Sequence, residues 1–188
     1  MGRKKQGTRK PKPEWQKQVD ADMRIYLTWG RTIEHQTNIL LTLELSGVRV
    51  TPVYELREGK GSGPVMHQTE KIAITRDFAE RKIVAGQKYR ATIEAIAREA
   101  ARSLSKGDSE TQKEYETFIK LYWLTADTRV SIRARYVIEA LPALKTKNKK
   151  GNWIPNRTFY RWRDSIYERL GELMGYLPED NLPKRAER

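Results

Sequence analysis

The stretch "NWIPNRTFYRWRDSIYERLGELMGYLP", Asn152 to Pro178, decides how this chain is read. It has the pattern of one amphipathic helix with a start and a stop. At 100° per residue, Phe159, Trp162, Ile166, Leu170 and Leu173 fall within an arc of about 80°, a stripe that has to be buried against other helices. Asn156 is a suitable N-cap, and Gly175 with Pro178 supplies the stop. Tyr160, Arg157, Arg161, Asp164 and Glu168 lie on the opposite side, with Arg163 at the border of the stripe towards Tyr160. The helix start is unusual. Arg157, Arg161 and Arg163 crowd the first two turns, where the macrodipole disfavours positive charge. Cations there make sense if the helix end meets an anion. Arginine suits this role, because its planar fork pairs bidentately with phosphate oxygens and with guanine O6 and N7.

The charge distribution points the same way. Residues 140–163 carry Lys145, Lys147, Lys149, Lys150 and the three arginines, and no acid. Residues 1–13 carry Arg3, Lys4, Lys5, Arg9, Lys10 and Lys12, again without an acid. These two patches account for the whole net charge of +13, and the rest of the chain cancels. Concentrated basic patches recruit polyanions. The plain alternative is a solvated tail and a solvated loop.

Upstream of the basic loop "KTKNKKGN", a helix is expected from about Thr128 to Leu141, with Val130, Ala134, Val137, Ile138 and Leu141 inward and Pro142 at its end. Before it, "SETQ" (Ser109 to Gln112) reads as a capping box opening a helix with Tyr115, Phe118, Ile119 and Tyr122 on one face. Together with the arginine helix these form a three-helix unit like a helix-turn-helix, in which the last helix enters the major groove by its N-terminal residues. One feature departs from that pattern. The usual turn is short, whereas Pro142 to Pro155 is a long connection. Its lysines either form a wing-like phosphate contact or mark a unit that is not a helix-turn-helix. Trp162 is expected in the core, and Trp153 is expected either to stack on a base or, the favoured reading, to pack under the helix start.

Further out, apolar residues at Ile72, Phe78, Ile83, Tyr89, Ile93, Ile96, Ala100 and Leu104 repeat with helical spacing, so a long helix is expected from Thr69 to about Leu104, bent at Gly86 or divided. "REGKGSGP" (Arg57 to Pro64) is the best linker, and "VRVTPVYEL" (Val48 to Leu56) a short edge strand or extended connection. From Trp15 to Leu45 the pattern is helical, with Trp29 and Gly30 suggesting a break into a hairpin of two helices. Residues 1–13 have a disordered composition.

Enzyme chemistry finds little support. Without cysteine there is no disulfide and no thiolate metal site. His35 and His67 lack ligand partners at helical spacing, and Asp20 and Asp22 lie on different faces of a helix. "GKGSG" has the wrong order for a phosphate loop. No nucleophile–base pair, metal site or cofactor site is expected, and no apolar run reaches transmembrane length.

The segment "IPNRTFYRWRDSIYERLGELMG" resembles the sigma-factor region-four-like ending of phage transcriptional activators of the RinA/ArpU type. "TEKIAITRDFAERKIVAGQKYRATIEAI" is similar to that family's central helix, and "QKEYETFIKLYWLT" to the helix ahead of its DNA-reading pair. The resemblance spans roughly Thr69 to Tyr176. It implies a small phage or prophage regulator that binds double-stranded DNA upstream of late genes and works with host RNA polymerase in the bacterial cytoplasm. Arg157, Thr158 and Arg161 match the family's helix start, and Arg163 matches less closely. The basic insert before Trp153 departs from the pattern. A small-terminase-like DNA-packaging component is the alternative, because such proteins also join DNA-binding helices to long oligomerising ones.

The expectation is therefore a mainly α protein: a basic tail (1–13), an N-terminal helical region (14–58), a linker (59–68), a long central helix (69–107), a helix-turn-helix-like domain (108–178) and a tail (179–188). DNA binding is assigned to Arg157, Thr158, Tyr160, Arg161, Arg163, Lys145, Lys147, Lys149 and Lys150. A homo-oligomer is compatible with the long helix, and no membrane partner is expected.

Overall fold

A computed structural model describes residues 12–45, 68–125 and 129–177. The protein is mainly α-helical. Its order is α1 (Glu14–Leu45), α2 (Gln68–Ser105), α3 (Ser109–Tyr122), α4 (Val130–Ala140), a short 3-10 turn (Pro142–Leu144), strands β1 (Lys145–Lys147) and β2 (Trp153–Pro155), and α5 (Arg157–Leu173). The expected tail at 179–188, the strand at 48–56 and nearly all of the 59–68 linker lie outside the described residues, as does the basic tail up to residue 11.

The chain divides into two compact units, one made of residues 1–27 and 93–188 and the other of residues 28–92. The division falls inside α1 and α2.

In the unit of residues 28–92, the expected break at Trp29 and Gly30 is corrected, and the central stretch takes the undivided one of the two forms left open for it. α1 runs without a break through Trp29 and Gly30, and α2 is a single helix through Gly86. The glycines admit close neighbours and do not end or divide either helix. A Cβ on Gly86 would sit 2.7 Å from Cε3 of Trp29 and 3.0 Å from Cγ1 of Ile33, so only glycine allows α1 to lie this close. At Gly30 the nearest atom to such a Cβ is the Arg90 guanidinium at 3.6 Å, an ordinary contact. The loss of helix propensity, roughly 1 kcal/mol for each glycine, is small against the packing of a 32-residue helix. The buried residues here are small, Ala79 and Gly86, while Leu41, Ile74, Phe78 and Val84 are exposed.

The other unit has a dense core. Val19, Met23 and Tyr26 of α1 recur at helical spacing and are buried, as are Ile93, Ala97, Ala100 and Ala101 of α2. The Tyr26 hydroxyl donates to Glu94 Oε1 at 2.7 Å. Lys106 (φ 53°) and Gly107 (φ 93°) turn the chain after α2. α3 then opens on Asp108, whose Oδ2 accepts from Thr111 N at 3.0 Å. The cap is thus one residue before the expected Ser109. The carboxylate satisfies a free N–H and also meets the positive end of the dipole.

Aromatic residues join α3 to α5. Phe118 lies 5.0 Å from Phe159 and Tyr115 lies 4.3 Å from Trp162, between ring centroids. Trp123 meets Tyr167 edge-on at 4.9 Å. Tyr167 is outside the expected stripe, yet it is buried, because Asp20 on α1 accepts from its hydroxyl at 2.6 Å. Asp22 likewise accepts from Tyr176. The two aspartates therefore act as anchors between α1 and the α5 end. Trp15 packs on Gly171, where a Cβ would be 3.0 Å from the indole.

α4 starts after Arg129, two residues later than expected, and Thr128 lies outside the described residues. Arg133 Nη1 donates to Tyr122 O at 2.9 Å, supplying a partner for a free carbonyl at the C-terminus of α3. The helix stops before Pro142, as its missing N–H requires.

Candidate nucleic-acid interface

The connection between α4 and α5 is a β-hairpin. Lys145 pairs with Pro155, Thr146 with Ile154 and Lys147 with Trp153, in antiparallel register. Asn148 builds the turn. Its carbonyl accepts from Gly151 N at 2.9 Å, and its Oδ1 accepts from Lys150 N and Asn152 N at 2.9 and 3.0 Å. Gly151 takes φ 78°, the left-handed region that a side chain disfavours. Asparagine at the first position and glycine at the fourth is the composition of a type I turn. The sequence carries this signal, but the strands are only three residues each, too short an alternation to register.

Asn156 ties this hairpin to α5. Its Oδ1 caps the helix by accepting from Phe159 N at 3.0 Å, as expected. Its Nδ2 donates to Ala143 O at 2.7 Å, and its backbone N donates to Leu144 O at 2.9 Å. One side chain therefore sets both the start of the helix and the base of the hairpin. At the other end, Gly175 N bonds to Glu172 O and Tyr176 N to Gly171 O, with Gly175 at φ 74°, which completes a Schellman motif.

The side chains assigned to DNA fall into three environments. Arg157, Thr158, Tyr160 and Arg161 are exposed on the first turns of α5, and the first turn holds no acid. The guanidinium groups of Arg157 and Arg161 have no acidic partner among the described residues. Arg163 is different. It is partly buried, donates to Asp164 Oδ1 at 2.6 Å and lies over the Tyr160 ring at 5.3 Å. Its place beside Tyr160 is as expected, but its charge is already matched. Tyr122, close to Arg163 and Arg133, is pushed upward in pKa by burial, an effect the two cations partly oppose.

Lys149 and Lys150 are exposed in the turn, and Lys147 is exposed on β1, with Lys145 less so. The expected packing of Trp153 under the helix start is corrected. Trp153 is 53% exposed as a residue, and its ring stands on the hairpin with Lys145 Nζ and Lys147 Nζ at 4.7 and 5.0 Å from its centroid. The strand register places these three side chains on one face, since residues two apart and their cross-strand partners point the same way. Sequence reading misses this arrangement because it depends on the register of the pairing.

Comparison of the chain with protein-family models, with characterised proteins and with solved structures finds no match. Among the described residues there is no cluster of side chains able to hold a metal ion. No described helix is long and apolar enough to cross a membrane.

Proposed function

We propose that this chain binds double-stranded DNA, with the N-terminal end of α5 in the major groove and the hairpin lysines on the backbone. One observation carries the reading: Arg157 and Arg161 stand exposed at a helix start with no acidic partner among the described residues, beside a hairpin bearing four lysines, in a stretch that contains no acid. Exposed cations at a helix N-terminus cost a few tenths of a kcal/mol each, and phosphate or a guanine edge offsets that cost. The aromatic core between α3 and α5 gives the reading helix a fixed support, which base readout needs. Following the resemblance to phage activators of the RinA/ArpU type, the biological role is regulation of late transcription together with host RNA polymerase. Arg157, Thr158 and Arg161 carry the base contacts.

The deciding experiment is a footprint of the protein on DNA from its own genomic neighbourhood, with competitor DNA and several salt concentrations. Protection of one short promoter-adjacent site that survives competitor supports the regulator. Diffuse protection that disappears with salt removes the sequence-specific part of the proposal.

A second reading, a small-terminase-like packaging component, is favoured by α1 and α2, helices of 32 and 38 residues with exposed Leu41, Ile74, Phe78 and Val84. A large ring by solution mass, with weak sequence preference, selects packaging. A monomer or dimer with a defined site selects regulation.

A further inference from the structure

Lys145, Lys147 and Trp153 share one face of the hairpin, and both ammonium groups lie over the same indole at 4.7 and 5.0 Å. The two charges are therefore less than about 10 Å apart, within one Debye length at about 0.1 M salt, and repel each other. No acid among the described residues relieves them. Residues 140–163 contain none, and the preceding Glu139 is bound to Arg135 at 2.7 Å. The negative face of the ring is the partner this hairpin gives them. An ammonium carries three donors. With its charge held over the ring, N–H groups remain that point outward. Lysine otherwise loses much rotamer freedom when its ammonium is fixed. The indole removes part of that loss before any ligand arrives. At 53% exposure Trp153 is no core residue, which leaves its contact with the lysines as its evident role.

We propose that Trp153 is a positioning residue that pre-arranges Lys145 and Lys147 to grip phosphates of one DNA strand. This rests on the DNA-binding reading above. Trp153 acts through the lysines and does not stack on a base.

The test uses the full chain and a duplex of random sequence, since phosphate contacts are independent of sequence. Affinity is measured for wild type, Trp153→Leu, Trp153→Phe, the double variant Lys145→Gln/Lys147→Gln, and that double variant combined with Trp153→Leu. Trp153→Leu is expected to weaken binding about three- to tenfold, the size expected when the cost of ordering a lysine side chain falls on the binding step. Trp153→Phe restores most of the affinity, because a ring face returns. In the double-glutamine background, Trp153→Leu has no further effect. An equal loss in both backgrounds overturns the proposal, because the indole would then touch DNA itself. No loss in the wild-type background overturns it too. If wild type binds no duplex at all, the DNA reading fails first and takes this inference with it, an outcome visible before any variant is measured.

Discussion

Two sets of arginines in this molecule have opposite surroundings. On α2, Arg76 lies 2.9 Å from Glu80 and Arg81 lies 3.0 Å from Asp77, each an i,i+4 pair on an exposed helix face. On the first turns of α5, Arg157 and Arg161 have no acidic partner among the described residues: the acids of that helix begin at Asp164, and Asp164, three residues after Arg161, is held by Arg163 at 2.6 Å. The α2 pairs are a solvated surface worth a few tenths of a kcal/mol each. The α5 pair is an unmatched field. The supporting structure differs as well. α5 stands on a core of Phe118, Trp123, Phe159 and Tyr167, whereas the α2 segment in the 28–92 unit buries Ala79 and Gly86 and leaves Phe78 outside. The unmatched charge sits on the densely packed part of the molecule and the matched charge on the thinly packed part. We base the proposal of DNA binding on that combination.

The largest expected effect tests the cores. Phe118→Ala should lower the free energy of unfolding by about 3–5 kcal/mol, the usual range for a buried phenylalanine. Phe78→Ala, at a residue 54% exposed, should change it by less than about 1 kcal/mol. Urea unfolding measures both, and equal values would abolish the contrast.

Next comes the charge itself. Arg161→Ala should cost about 1–3 kcal/mol of binding to a footprinted site if it reads a base. Arg76→Ala and Arg81→Ala should leave affinity unchanged. An equal loss on target and scrambled duplexes would reduce Arg161 to a phosphate contact.

The glycines sharpen the packing half of the comparison. Gly86→Ala drives a Cβ to 2.7 Å from Trp29 and should destabilise by roughly 1–3 kcal/mol. Gly30→Ala has only a flexible guanidinium nearby and should stabilise by about 0.5–1 kcal/mol. Thermal melts of the two variants should move in opposite directions.

For the hairpin, replacing Lys147, Lys149 and Lys150 by Gln should flatten the log–log salt dependence of DNA binding by about 0.9 for each phosphate that is no longer neutralised. An unchanged slope would take the hairpin out of the interface.

The smallest effect concerns pH. The Thr111 side chain and backbone N–H bond to the Asp108 carboxylate and hold its pKa below the ordinary value. A group lowered in the folded state adds stability above its unfolded pKa, and that stability is lost as pH falls through the folded value. Melting temperature should therefore carry a small acid-side decline that Asp108→Asn, which still caps, removes.

The amino-acid sequence by itself determined the helices and their inward faces. Periodicity alone marks Phe159, Ile166 and Leu170, and the N-cap Asn156 and stop Gly175 are local signals that act over one turn. It also determined where the net charge lies. Tertiary structure decided the rest. Whether Gly30 breaks a helix or admits a neighbour depends on what approaches it, and Trp29 over Gly86 is set by a partner more than fifty residues away in the chain. Whether an arginine is free or matched depends on rotamers and burial, which separate Arg163 from Arg161. The Trp153 arrangement exists only through the register of two three-residue strands, a pairing too short to leave a periodic trace. Helical periodicity survives in the sequence because it repeats over many residues. Single close approaches and cross-strand neighbours do not repeat, so only the folded chain reveals them.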